Sequence, residues 1–332
     1  MSQSLTGANL TSIEVCSGAG GQAIGLEKAG FKHLACVELD KDACNTIELN
    51  RPEWNPQNVD LKEWVWESGE SVDLLAGGVP CPPFSLAGAQ LGEADDRDLF
   101  PSMLRLVEEI RPKVVMIENV RGLLSRRFDE YREFILGTLN SLGYEGEWQL
   151  LQAADFGVAQ LRPRSVLVAM RPEFWSHFDW PEPVANEWLS VGDVLAKDMA
   201  SNGWEGAAAW SERARGVAPT LVGGSKKHGG ADLGPTRAKE QWRTRFGIDG
   251  RGIADQAPER GFEGMPRLTT RMAATLQGFP EDWVFSGKKT SIYRQIGNAF
   301  PPPVAGAIGN CIRVALENAS SIDSKQILQE VA

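Results

Sequence analysis

The feature that most constrains this chain is an alternation, repeated through its first half, of short apolar runs with stretches whose apolar residues recur at helical spacing. LTSIEVCSG, residues 10–18, is an apolar run closing on glycine; AIGLEKAG follows with helical spacing, and HLACVELD is a second run ending in acids. VDLLAGG, LFPSMLRLVEEIRP and KVVMIENV repeat the pattern, with Leu99, Met103, Leu106 and Ile110 on one helical face and Pro112 as the stop. FDEYREFILGTLNSLGY and RSVLVAMRP continue it. Strands separated by helices cannot pair as hairpins. They imply an α/β fold, a doubly wound, mostly parallel, Rossmann-like sheet. After Trp180 the rhythm stops. PEP, GGSKKHGG, LGPTR and IDGRG crowd residues 181–264, predicting a smaller, loop-rich unit whose turn residues suit short strands better than long helices. Helical spacing returns in LTTRMAATLQGFP and in VAGAIGNCIRVALENA.

Composition narrows the function. The five cysteines, Cys16, Cys36, Cys44, Cys81 and Cys311, are odd in number and form no CxxC pair or Cys/His metal spacing, which indicates a reducing cytosol. The opening MSQSLTGANL lacks a basic start and an apolar core, and no later run approaches the ~20 apolar residues of a membrane helix. A soluble, cytoplasmic protein is expected. The net charge of −10 argues against a non-specific nucleic-acid coat protein. Between Ser211 and Arg251, however, nine Lys or Arg stand against four acids. A basic segment in an acidic chain is a candidate face for a polyanion, or a solvated loop whose charges pair elsewhere.

In doubly wound sheets, ligands bind beyond the carboxyl ends of the strands. Four features fall there. SGAGG, residues 17–21, would let a ligand approach the backbone at a helix start, and Glu38 in VELD could accept hydrogen bonds from ribose hydroxyls. Alone, this pair fits a nicotinamide dehydrogenase equally well. Cys81 in GGVPCPPFS and Glu118-Asn119 in ENV follow the next two strands, where a thiol and a carboxyl could act as nucleophile and acid.

Order decides between these readings. VCSGAGGQAIGLEKAG, VELD, GGVPCPPFS, DRDLF, ENV, QLRPR, RLTTRMAATLQGFP and YRQIGNAFPPP closely resemble the ordered motifs of the C5-cytosine DNA methyltransferases of prokaryotic restriction-modification type, from about residue 11 to 310. The resemblance implies an S-adenosylmethionine-binding catalytic domain, 1–180 and 285–332, whose C-terminal helix folds back onto it, and a target-recognition domain, 181–284. It makes Cys81 the nucleophile that adds to cytosine C6, held in line by Pro80, Pro82 and Pro83. Glu118 would bond N3 and the exocyclic amine, Asn119 would position the loop, and Arg164 with Arg162 would face O2. For the cofactor, Gly18, Gly20 and Gly21 would surround the methionine part, with Ser17 and Ala19 in the same turn and Cys16 only a neighbour; Glu38 would meet the ribose with Leu39 beside it and Asp60 the adenine with Leu61 beside it, and Pro80, Leu99, Asn298 and Ala299 would complete the pocket. The sulfonium carries its own activation, so the reaction calls for no metal.

The implied partner is double-stranded DNA, with Lys226, Lys227, Arg237 and Arg243 as candidate contacts and the target base flipped from the stack. A cognate restriction endonuclease is implied as a functional partner, and one chain holds every expected part, so a monomer is expected. The competing readings are a tRNA cytosine methyltransferase and a non-catalytic DNA-binding relative. Three positions depart from the family pattern. Cys16 replaces an adenine-stacking Phe, Pro82 a Gln, and Met272 a Glu expected to pair with an Arg.

Overall fold

The computed structural model describes residues 10–80, 98–184, 187–224 and 230–330. The chain begins β1 (Leu10–Val15), α1 (Gly21–Lys28), β2 (Phe31–Val37), α2 (Lys41–Asn50), β3 (Pro56–Gln57) and β4 (Leu74–Gly77). It continues through α3 (Phe100–Ile110), β5 (Val114–Val120), α4 (Asp129–Ser141), β6 (Glu145–Gln152), β7 (Gln160–Leu161) and β8 (Pro163–Met170). Then come α5 (Pro172–Trp175), α6 (Val191–Ala200), α7 (Ala207–Arg213), β9 (Ala218–Pro219), α8 (Thr236–Phe246), α9 (Thr270–Gln277), α10 (Lys289–Asn298) and α11 (Pro302–Glu330).

Seven strands form one sheet in the order β3-β2-β1-β4-β5-β8-β6. The pairs from β3 to β5 are parallel, and β8 runs antiparallel to both β5 and β6. Strands β1, β4 and β5 are largely buried on both faces, as their mostly apolar runs suggest, with Ser12 and Glu14 of β1 buried among them. The chain winds outward from β1 to β3, then returns to β4 on the other side. That reversal opens a crevice between the carboxyl ends of β1 and β4. The ends are level: Val15 pairs with Gly77, and Gly77 with Ile117. The glycine turn after β1, the segment leading to Cys81 after β4, and Glu118-Asn119 of β5 therefore leave the sheet side by side.

The doubly wound expectation holds, with two differences. Strand β8 reads like its parallel neighbours because burial sets composition whatever the direction, and the half-exposed β6, EGEWQLLQ, has no apolar run to announce it. Residues 181–264 also differ from the short strands expected. Among the described residues, 181–284 carry helices α6, α7 and α8, then α9 where helical spacing was read, and only the two-residue strand β9. Their core is aromatic, with Trp210 and Trp242 fully buried, and it runs on into Ala23, Ile24 and Trp54 of the sheet unit. The turn residues of the sequence separate these helices instead of ending strands. Helix α6 is set by a capping box in which Ser190 and Asp193 bond each other's main chain. At α9 the same device uses Met272, whose Sδ lies 3.4 Å from the Thr269 nitrogen while Thr269 Oγ1 accepts from the Met272 nitrogen at 3.1 Å. The thioether thus occupies the place of a capping carboxylate. It is buried, where a charge without a partner would be costly.

Candidate active site

The turn after β1 is built from left-handed backbone: Cys16, Gly18 and Gly20 have φ of 51°, 54° and 83°. Its two sides differ. A Cβ on Gly20 would stand 3.1 Å from Trp283 and 3.3 Å from Trp54, and one on Gly21 only 2.5 Å from the Phe300 carbonyl oxygen. One on Gly18 would meet nothing within 4 Å. The turn is packed from behind and open in front, so a ligand can approach its backbone at Gly18.

Glu38, at the end of β2, is fixed by main chain. Its Oε2 accepts from the Gly18 nitrogen at 2.7 Å and its Oε1 from the Asp40 nitrogen at 2.6 Å. Burial pushes this carboxyl up and the amide bonds pull it back. The Cys16 thiol is also pushed up, by burial first and then by the neighbouring Glu38 and Asp60 charges. Cys16 therefore stays a neutral, apolar sulfur, unsuited to nucleophilic work. Asp60 accepts from the Lys62 nitrogen through Oδ1 at 3.0 Å, beside the buried Leu61, while Leu39 is largely exposed. An open glycine turn flanked by two carboxylates and apolar surface suits a nucleoside-bearing cofactor, since carboxylates accept from hydroxyls and an exocyclic amine.

The second cluster lies beyond β4 and β5. Arg164 Nε meets Glu118 Oε1 at 2.7 Å with both side chains 12 % exposed. Burial pushes the Glu118 carboxyl up, while the Arg164 and Arg162 guanidiniums pull it down. Its Oε2 faces Gly78, where an added Cβ would stand 3.1 Å away. Gly78 thus leaves that oxygen accessible from the strand that leads to Cys81. Asn119 donates from Nδ2 to the Val79 carbonyl at 2.8 Å, and the Leu99 nitrogen donates to the Pro80 carbonyl at 3.3 Å. The approach to residue 81 is therefore anchored from β5 and from the start of α3. Cys81, Lys226 and Lys227 lie outside the described residues.

Two of the expected site residues also hold main chain. Arg162 is fully buried and offers its donors to the main chain: Nη1 to the Leu221 carbonyl at 2.8 Å, and Nη2 to those of Gly297 and Ala299 at 2.8 and 2.9 Å. With three carbonyls on its guanidinium it ties segments together, while its charge still acts on Glu118. Asn298, expected at the cofactor, is exposed and donates its Nδ2 to the Gly224 carbonyl at 3.2 Å. Next to it, Gly297 and Gly223 pass so closely that a Cβ on Gly297 would stand 2.4 Å from the Gly223 nitrogen. Both residues thus secure the chain that enters residues 225–229. Gln160 and Gln277 belong to the same buried network, bonded to each other at 2.7 Å, with Gln277 Nε2 on the Ala299 carbonyl at 2.6 Å. The sequence reading missed both.

Of the DNA candidates, Arg237 and Arg243 lie exposed on α8, six residues and about 120° apart around the axis. They leave the helix from different faces. Arg243 is paired with Glu240 at 2.6 Å. No helix among the described residues is long and apolar enough to cross a membrane.

The sequence profile of the C-5 cytosine-specific DNA methylases matches residues 10–313. The chain belongs to this family. It is a DNA cytosine-5 methyltransferase with the seven-stranded sheet of that class. This methyltransferase is 52 % identical over 324 residues to the Type II methyltransferase M.NaeI of Lentzea aerocolonigenes, covering 93 % of this chain and 76 % of that one. It is 51 % identical over 310 residues to M.NgoMIV of Neisseria gonorrhoeae, covering 92 % and 98 %. Among solved structures, Spodoptera frugiperda DNMT2 superposes with a TM-score of 0.61 at 16 % identity, covering 92 % of this chain and 99 % of that one. At that identity the likeness is one of fold.

Proposed function

We propose that this methyltransferase acts at a defined sequence in duplex DNA, on a cytosine flipped out of the stack, through a covalent bond between Cys81 and C6. The observation that carries this reading is the buried Glu118–Arg164 pair at the end of β5, beside the anchored segment that leads to Cys81. C5 of cytosine is a poor nucleophile. Addition of the Cys81 thiolate to C6 moves an electron pair onto the ring and makes C5 reactive. Glu118, with its raised affinity for a proton, can donate to N3 as that charge builds, and Arg164 holds a fixed positive charge beside it. Once C5 has gained its methyl, it loses its proton to a base, the ring pair re-forms the C5–C6 double bond, and the C6–S bond breaks to return the thiolate.

The methyl donor that fits is S-adenosylmethionine, which supplies a carbon activated by its sulfonium. Gly18 offers the open approach to its methionine part, Glu38 the acceptors for ribose, and Asp60 the acceptor for the adenine amine. Residues 181–284 would read the DNA, with Lys226, Lys227, Arg237 and Arg243 toward phosphate or guanine. Flipping costs a few kcal/mol of stacking that such contacts offset. The Type II relatives support a role in protecting DNA from a cognate restriction endonuclease.

Bisulfite sequencing of plasmid DNA from cells expressing the protein or its Cys81→Ala variant tests this. Protection confined to cytosines within one short sequence, and lost in the variant, is expected. Equal protection from Cys81→Ala would exclude the covalent route.

A further inference from the structure

The open front of the glycine turn has a cause behind it. Glycine adopts the left-handed backbone freely at positions 18 and 20, but at Cys16 it is costly unless the surroundings enforce it. The helical ladder of α1 begins with the Ile24 nitrogen on the Gly20 carbonyl, which leaves the Ala19 carbonyl outside it although Ala19 is buried. Trp283, from the segment between α9 and α10, donates its Nε1 to that carbonyl at 3.2 Å. Its ring also fills the place a Gly20 side chain would take. Trp54 backs the same position, but its Nε1 goes to Glu27 Oε1 at 3.0 Å. The two indoles lie 5.8 Å apart, with the Arg51 guanidinium 5.8 Å from one and 5.7 Å from the other. Both tryptophans wall the turn. Only Trp283 bonds it.

We propose that Trp283 is a positioning residue for the cofactor: its indole N–H fixes the Ala19 carbonyl and so holds the turn in its ligand-accepting form, which makes cofactor affinity depend on a residue at the end of the 181–284 region. The inference rests on the reading of this turn as the S-adenosylmethionine site. Removing the N–H while keeping a ring leaves a buried carbonyl unpaired and lets the turn relax.

The test is calorimetric titration of the full-length protein with S-adenosylmethionine, comparing wild type, Trp283→Phe and Trp54→Phe, together with melting temperatures and kcat on plasmid DNA at saturating cofactor. Trp283→Phe is expected to raise Kd by about tenfold with kcat changed by less than about twofold, whereas Trp54→Phe, which costs comparable packing, changes Kd by less than about twofold. Equal Kd for wild type and Trp283→Phe overturns the proposal, as does a loss of affinity in both variants that follows their loss of melting temperature. A wild type that gives no binding heat and no shift in melting temperature with S-adenosylmethionine would instead remove the cofactor reading itself.

Discussion

The two carboxylates at the carboxyl edge of the sheet are held in opposite ways. Glu38 is gripped by two main-chain amides, at 2.7 and 2.6 Å, and Glu118 by a guanidinium at 2.7 Å. Burial raises the proton affinity of both. Amides are neutral and part of the main chain, so they fix where Glu38 points, and the Gly18 amide ties its position to that of the glycine turn. A guanidinium brings a full charge on a side chain, so it can answer a change of charge on Glu118 or on whatever Glu118 touches. The first arrangement suits binding and the second suits reaction.

Glu118→Gln should break the comparison most sharply, cutting kcat by about 10²–10³-fold while the Kd for S-adenosylmethionine stays within about twofold. Loss of cofactor affinity as the main effect would mean that the two ends are not separate. Glu38→Ala is its mirror. It should raise that Kd by about tenfold or more, with kcat at saturating cofactor little changed, as titration and steady-state kinetics would record.

A third carboxylate sharpens the contrast from inside the sheet. Glu14 of β1 is fully buried, accepts from Gln22 Nε2 at 3.1 and 3.3 Å, and has its pKa pushed up to about 8 by burial against an ordinary 4.5. A raised folded-state value means the native protein holds the proton more tightly than the unfolded chain does. The resulting stability is complete below pH 4.5, declines as pH rises, and is lost above about 8. Glu14→Gln, neutral at every pH, should therefore melt close to wild type near pH 5 and roughly 5 °C or more higher at pH 9. A constant difference across that range would show that Glu14 does not titrate as its burial demands. The smallest effect belongs to α8. Arg237→Ala should reduce the salt dependence of plasmid binding by about one unit of slope, and Arg243→Ala by less, because Glu240 already offsets its charge.

The sheet and its crevice were legible because strands buried on both faces leave apolar runs, and because LTSIEV, LLAG and VVMIENV each stop at the residues that matter. Helix α9 was too, but helices α6, α7 and α8 were not. Their apolar positions are few per turn, and α8, TRAKEQWRTRF, buries only Trp242 and Phe246. Nor could spacing separate Arg162 from Arg164. On one strand, residues two apart share a face, but Arg162 falls between β7 and β8, where that alternation is interrupted. The grip of Trp283 on Ala19 spans 264 positions, and no local pattern encodes a contact of that reach.

Helix α11 closes on α1 with almost no space between them. A side chain on Gly25 would stand 2.4 Å from the Pro302 carbonyl, and Gly21 is covered by the carbonyl of Phe300. The first helix made is thus completed by the last, with nearly the whole polypeptide in between. At about 5–20 residues per second, α1 leaves the ribosome on the order of tens of seconds before its lid exists. Until then the turn lacks the Phe300 carbonyl that covers Gly21, and the apolar face of α1 lies uncovered. Methylation can start only once α11 has been made, and a chain truncated before it would be an aggregation hazard instead of a weak enzyme.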